Sequence, residues 1–198
     1  MKPEQGQLFP PEVLWRVRGQ TGQYNVGPSQ GKSPHLNFDH LDAWKQPIRT
    51  YQTQVSQAKT TAQVPLFDLE TPPPTWENLN PFTLPCENTL FWRQKSSPKG
   101  QAAFYFVMDY NYPLLLYIGE TGRSGQRWQG NHDCKQYLQN YVAAHRHVDA
   151  AVAVGIAFWY HAPSRKHQRQ EQERHLILKW RSPFNKENWP YWHTPFRY

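Results

Sequence analysis

Apolar and polar positions alternate in a readable way from about residue 100 onward. Phe104, Tyr105, Phe106 and Val107 form a short aromatic and β-branched run. Asp109, Asn111 and Pro113 then supply turn chemistry, and Leu114 to Ile118 is a second apolar run of strand length. The spacing predicts a β-hairpin with strands over 101–107 and 114–118. Gly119 closes the second strand, and Thr121-Gly122 and Ser124-Gly125 punctuate the passage that follows. Tyr137, Leu138, Tyr141 and Val142 recur at i, i+1, i+4 and i+5, which predicts a helix to about His145, capped by Asn131 or Asp133. Val148 to Tyr160 is apolar nearly throughout and reads as a central strand. Pro163-Ser164 is a turn and a possible cap. Arg165 to Trp180 is the clearest helix, with Leu176, Ile177 and Trp180 on its apolar face and Pro183 to stop it. The order β-β-α-β-α predicts an α/β sandwich around a small sheet, with helices flanking it.

The first 90 residues read differently. Thirteen of the 18 prolines precede residue 100, and short apolar clusters alternate with Pro, Gln, Ser and Thr without a long helical period. This predicts an irregular, Pro-rich arm over residues 1–90 joined to a folded domain over 91–198. Within the arm, Val13 to Val17 resembles a short strand, and His40 to Trp44 a helical turn capped by Asn37 or Asp39. Arg49 to Ala62 is polar and Gln-rich, either helix or tether, and Pro72-Pro73-Pro74 is extended.

Composition narrows the function classes. Lys and Arg outnumber Asp and Glu by 22 to 15, a formal charge of +7 that favours an anionic partner. Aromatic residues make up 15% of the chain and include nine Trp, enough to place some at the surface as stacking platforms. The two cysteines, Cys86 and Cys134, stand in unrelated contexts, which argues against a disulfide framework or a zinc site. No apolar run reaches membrane-spanning length, and the first residues carry no apolar signal core. The expectation is a cytoplasmic protein without a membrane partner, a monomer or homodimer.

Two spacings carry the chemistry. Tyr105 and Tyr117 have eleven residues between them, Tyr117 opens the triplet Tyr117-Ile118-Gly119, and Arg127 follows Gly119 by eight positions. More than 45 residues downstream, Glu173 stands one turn before Leu176-Ile177, and Pro183-x-Asn185 ends the segment with Asn185 twelve residues past the glutamate. This pattern resembles the GIY-YIG nuclease family, with Ala103-Phe104-Tyr105 standing where Gly-Ile-Tyr would be. The resemblance covers the second half of the chain and implies a metal-dependent DNA endonuclease. It implies Glu173 as the carboxylate for one Mg2+ or Mn2+, a hard cation that keeps several waters. It implies Arg127 as the clamp on the scissile phosphate, Tyr105 as acceptor of the attacking water's proton, and Tyr117 as an orienting hydroxyl. Relatives carry a further polar residue, often His, four positions after the arginine. Here Asn131 holds that position and His132 is one later, so His132 is the candidate. Asn185 is expected to fix the helix exit near the glutamate.

Taken singly, each residue has a plainer reading. The tyrosines could be ordinary strand aromatics, Arg127 a solvated helix residue, and Glu173 a surface ion-pair partner among Arg169, Arg174 and Lys179. His132 could be a cap and Asn185 a turn residue; it is the joint spacing that favours a site. Arg123, Lys135, Arg165, Lys166 and Arg169 are candidates to track a DNA backbone, or a solvated charged face. The tail from Trp189 to Tyr198 either stacks on bases or folds back on the sheet.

Two pentapeptides in the arm, Gln5-Gly6-Gln7-Leu8-Phe9 and Gln63-Val64-Pro65-Leu66-Phe67, share the form Gln-x-x-Leu-Phe. They resemble the peptide by which bacterial replication and repair proteins bind the sliding clamp. In that mode Leu8-Phe9 or Leu66-Phe67 would enter an apolar pocket while Gln5 or Gln63 fixes the strand. The plainer alternative is that they anchor the arm to its own domain. The expectation is therefore phosphodiester hydrolysis in DNA repair, recombination or replication-associated processing. The alternatives are a restriction or mobile-element endonuclease, and a non-catalytic nucleic-acid-binding module on a decayed nuclease fold.

Overall fold

A computed structural model describes residues 37–58, 75–87, 100–123 and 133–197. All of these fall within the compact unit that spans residues 33–198. The fold is mixed α/β. Three antiparallel strands, β1 (Ala103–Asp109), β2 (Leu114–Thr121) and β3 (Val154–Trp159), lie in the order β2-β1-β3. The helices are α1 (Phe38–Gln57), α2 (Asp133–His147), α3 (Lys166–Trp180) and the short α4 (Trp189–Trp192). Among the described residues, no helix is long and apolar enough to cross a membrane.

β1 is buried along its whole length, as a central strand with helices on both faces must be. One face of the sheet presents Tyr105, Val107, Leu114, Leu116, Ile156 and Phe158 to Leu138 and Tyr141 of α2 and to Leu41 and Ile48 of α1. The other presents Phe104, Phe106, Leu115, Ile118 and Trp159 to Leu176, Ile177 and Trp180 of α3. A bulge between Val107 and Met108 puts Leu116 and Tyr117 on the same side of β2. The pairing Tyr105↔Gly119 is the one that matters for the site.

Several expectations need correcting. The segment 38–57, read as lacking a long helical period, is a 20-residue helix capped by Asn37, whose Oδ1 accepts the His40 N–H at 2.8 Å. Its inward positions are Leu41, Lys45, Ile48 and Gln52, so two of the four are polar and the apolar stripe is hidden. The third strand begins at Val154, not Val148. Asp149 takes a left-handed turn conformation (φ 52°) that ends the run out of α2 before the sheet is rejoined. β2 continues through Gly119 to Thr121. The tail folds back, with Thr194 and Phe196 buried. α3 starts at Lys166 after an Arg165 cap that makes no side-chain bond, and ends on the left-handed Arg181, with Pro183 just beyond. The arm candidates Val13 to Val17 and Pro72-Pro73-Pro74, and the apolar anchors of both pentapeptides, lie outside the described residues.

Candidate active site

β2 is an edge strand, and its outward backbone groups would be unpaired in a bare three-stranded sheet. They are answered instead by two carboxamides, a carboxylate and one peptide. Gln52 of α1 accepts from Leu115 N at 2.8 Å and donates to Leu115 O at 2.9 Å. Phe184 N donates to Leu116 O at 2.9 Å. Asn185 accepts from Ile118 N and donates to Ile118 O, both at 2.9 Å. Glu173 accepts from Glu120 N at 3.0 Å. The strand that carries Tyr117 and Gly119 is therefore held in register by groups far away in the chain.

Gly119 lies between two of these contacts, Asn185 at Ile118 and Glu173 at Glu120. Its partner across the ladder is Tyr105, and a Cβ at position 119 would fall inside the van der Waals surface of the Tyr105 phenol carbon and hydroxyl. Glycine is required there by the close approach of that ring. Tyr105 is wholly buried, and Tyr117, half-buried, lies 6.0 Å away between ring centroids. The next peptide N–H along the strand, that of Glu120, is the one that anchors Glu173, which is half-buried. Two phenols thus lie on one face of the sheet at Gly119, and a carboxylate from α3 is tied to the next peptide of β2.

Arg127 and His132 lie outside the described residues, as do Gln5, Leu8, Phe9, Gln63, Leu66 and Phe67. Asn185 is buried and takes three bonds, the third from Ser182 Oγ at 2.6 Å, so it braces the β2 edge. Among the basic candidates, Arg123, Arg165 and Lys166 are exposed and Lys135 is half-buried. Arg169, expected on a solvated basic stripe, is instead 5% exposed. Its Nε meets the Glu120 carboxylate, and its Nη1 donates to Pro163 O and Ser164 O at 2.9 and 3.0 Å. It acts as a strut between α3 and the end of β2. The sequence does not single out Gln52, because a lone Gln inside a helix gives no signal of the edge it will pair. Glu120 does carry a signal, since it directly follows the Tyr117-Ile118-Gly119 triplet.

A carboxylate oxygen at Glu173 has the donor chemistry a hard divalent cation takes. Among the described residues, no three His, Cys, Asp or Glu side chains cluster as a closed metal cage. A site of one carboxylate plus waters and phosphate oxygens needs none. Comparison with known proteins finds no matching family model, curated relative or solved structure.

Proposed function

We propose that this protein is a metal-dependent DNA endonuclease of the GIY-YIG type, acting in DNA repair, recombination or replication-associated processing. The observation that carries the reading is the meeting at Gly119. The Tyr105 phenol lies across that glycine, Tyr117 stands 6.0 Å from it, and Glu173 is tied to the following peptide N–H. Residues 12 to 68 positions apart in the chain thus attach to one stretch of β2, residues 117–120, with the spacings that the resemblance requires. The order of strands and helices from β1 to α3 agrees with the same reading.

Glu173 would hold one Mg2+ or Mn2+, which supplies charge relief at the phosphate and acidifies a bound water. Anchoring to Glu120 N fixes one carboxylate oxygen and so the direction of the other. Arg127 would clamp the scissile phosphate through its planar guanidinium. Tyr105 would take the proton of the attacking water, which requires cationic neighbours that favour the phenolate. Tyr117 would orient water or phosphate through its hydroxyl, and His132 would assist from the same segment as Arg127. Asn185 is a positioning residue in this scheme, since its amide bonds hold the peptide between Tyr117 and Gly119. Exposed Arg123, Arg165 and Lys166 would meet the DNA backbone. The arm peptides at 5–9 and 63–67 would dock on a sliding clamp.

The test is nicking of plasmid, flap and junction DNA with Mg2+ or Mn2+, comparing the wild type with Arg127→Ala and Glu173→Ala. Both variants should lose nicking by at least about a hundredfold while still binding DNA. A wild type inert on every substrate would leave a binding module on a nuclease fold. Cleavage confined to one sequence would point to a restriction or mobile-element enzyme. Replacing Leu66 and Phe67 together by Ala should abolish capture on immobilised clamp.

A further inference from the structure

Among the described residues of the tail, one large aromatic ring is exposed. Tyr191 of α4 is 52% exposed, although Trp189 and Trp192 beside it pack on the core. Tyr191 belongs to a stack. The Arg181 guanidinium lies 4.3 Å from the centroid of the Tyr191 ring and 4.6 Å from that of Tyr51, so it is sandwiched between an α1 tyrosine and an α4 tyrosine. The stack is held at several points. Trp192 Nε1 donates to Arg181 O at 2.5 Å, the Trp192 ring meets Tyr51 edge-on at 5.9 Å, and Tyr51 Oη donates to Lys179 O at 3.0 Å. Arg181 itself is fixed in the left-handed conformation that ends α3. The side chains are ordered by the fold before any ligand arrives, which lowers the entropic cost of binding.

The segment itself is basic. Between residues 181 and 197 the sequence carries Arg181, Lys186 and Arg197 against a single carboxylate residue, Glu187, and Arg197 lies 5.4 Å over the Trp189 ring. A guanidinium stacked beneath a solvent-facing phenol ring suits an anionic polymer whose units carry flat faces.

Position ties the stack to the candidate site. Tyr51 adjoins Gln52, which holds β2 at Leu115, and Gln52 also donates to the carbonyl of Trp180, the residue before Arg181, at 3.3 Å. The stack therefore sits at the Leu115 end of the β2 outer edge, and Glu173 at the Glu120 end. Leu115 and Glu120 are five strand steps apart, a span of roughly 17 Å. From Glu173 to Arg181 the eight steps rise about 12 Å.

We propose that Tyr191 and Arg181 form a stacking step for an unpaired base, so that the substrate is DNA with a single-stranded segment that reaches over the surface from this step towards Glu173. The inference rests on the endonuclease reading for its substrate, and it is tested by binding alone. Without added metal, the affinity of a fluorescein-labelled oligo-dT is measured against that of a blunt duplex of equal length. Tyr191→Ala should weaken oligo-dT binding by at least about fivefold and leave duplex binding within about twofold. Tyr191→Phe should restore it, and Arg181→Lys, which keeps the charge and loses the flat guanidinium, should weaken it in the same direction. Melting curves check that each variant is folded, and Tyr191 is exposed enough for substitution to be tolerated.

Oligo-dT affinity unchanged in Tyr191→Ala would overturn the proposal, as would equal losses on duplex and single strand, or a wild type that does not bind oligo-dT. The two readings fail separately. A wild type that cleaves while Tyr191→Ala binds as before removes the stacking step alone. A wild type that never cleaves, yet binds oligo-dT through Tyr191, keeps the step and removes the nuclease.

Discussion

The central strand carries polar chemistry at both ends, and the two ends are built in opposite ways. At its C-terminal end Asp109 is fully buried. Its Oδ1 accepts from the backbone N–H groups of Asn111, Ala153 and Tyr112 at 2.9, 3.1 and 3.4 Å, and its Oδ2 from Tyr141 Oη at 2.8 Å. Beside it His145 is wholly buried. The Tyr141 carbonyl, 2.8 Å from Nδ1, can only accept, so Nδ1 carries the proton and Nε2 is left to accept from Lys45 Nζ at 3.2 Å. Lys45 is 6% exposed, with its ammonium 4.3 Å from the centroid of the Tyr112 ring. At the opposite end, Glu173 is half-buried and accepts from the Glu120 N–H, the peptide that follows the glycine against which the Tyr105 ring lies. Saturated, fully buried polar groups hold a fold in one state. A half-buried carboxylate at a strand edge stays in contact with solvent. Charge alone does not separate the two, because each end contains a carboxylate and phenols.

The largest effect should come from breaking the saturated end. Asp109→Ala takes the acceptor from three half-buried backbone N–H bonds and from the buried Tyr141 hydroxyl, and should cost roughly 3 kcal/mol or more of unfolding free energy in a urea titration. A cost below about 1 kcal/mol would mean that the cluster is not the brace described here. Next in size is Gly119→Ala. The new methyl would strike the Tyr105 ring, and moving either strand or ring should cost about 1–3 kcal/mol and lower nicking with it.

Smaller, and specific to the buried end, is a pH effect. Burial holds His145 below its ordinary value, opposed by the hydrogen bond to Tyr141 O; the Lys45 ammonium pushes in the same direction as burial, and Asp109 opposes it. The folded protein therefore binds fewer protons than the unfolded chain below the unfolded histidine value of about 6.5. The stability tied to His145 is present above that pH and is lost as pH falls towards the lowered folded value. The melting temperature should drop on acidification from neutral pH, and His145→Gln, which cannot titrate, should flatten that slope. Lys45→Met should let His145 titrate at a higher pH, followed through its ring proton resonances. An unchanged titration would show that the two groups do not sense each other. Burial also lowers Lys45 itself, against the pull of Asp109 and Asp42.

Much of the fold is legible in the sequence where period and burial agree. The hairpin, the helix ending at Trp180 and their order follow from runs that are apolar on the buried face. The long first helix is hidden because Lys45 and Gln52 occupy inward positions and Pro47 interrupts the pattern, and because its capping Asn37 opens a segment rich in polar residues. Lys45 faces a histidine and Gln52 pairs a strand edge, partners that no local window contains. Asp109 reads as a turn former, and it does accept from the turn, but Tyr141 is 32 residues away. At the candidate site, the spacing leads to Tyr105, Tyr117 and Glu173. It does not distinguish the buried Arg169 from its exposed neighbours, because a charge has no period that reveals a partner such as Glu120.

The most direct measurement is the nicking rate of Glu173→Gln beside its DNA affinity and melting temperature. Gln keeps an oxygen to accept the Glu120 N–H and removes the negative charge, so the fold is left in place. The account predicts wild-type melting and DNA binding with nicking reduced by at least about a hundredfold. Nicking at the wild-type rate in that variant would contradict it.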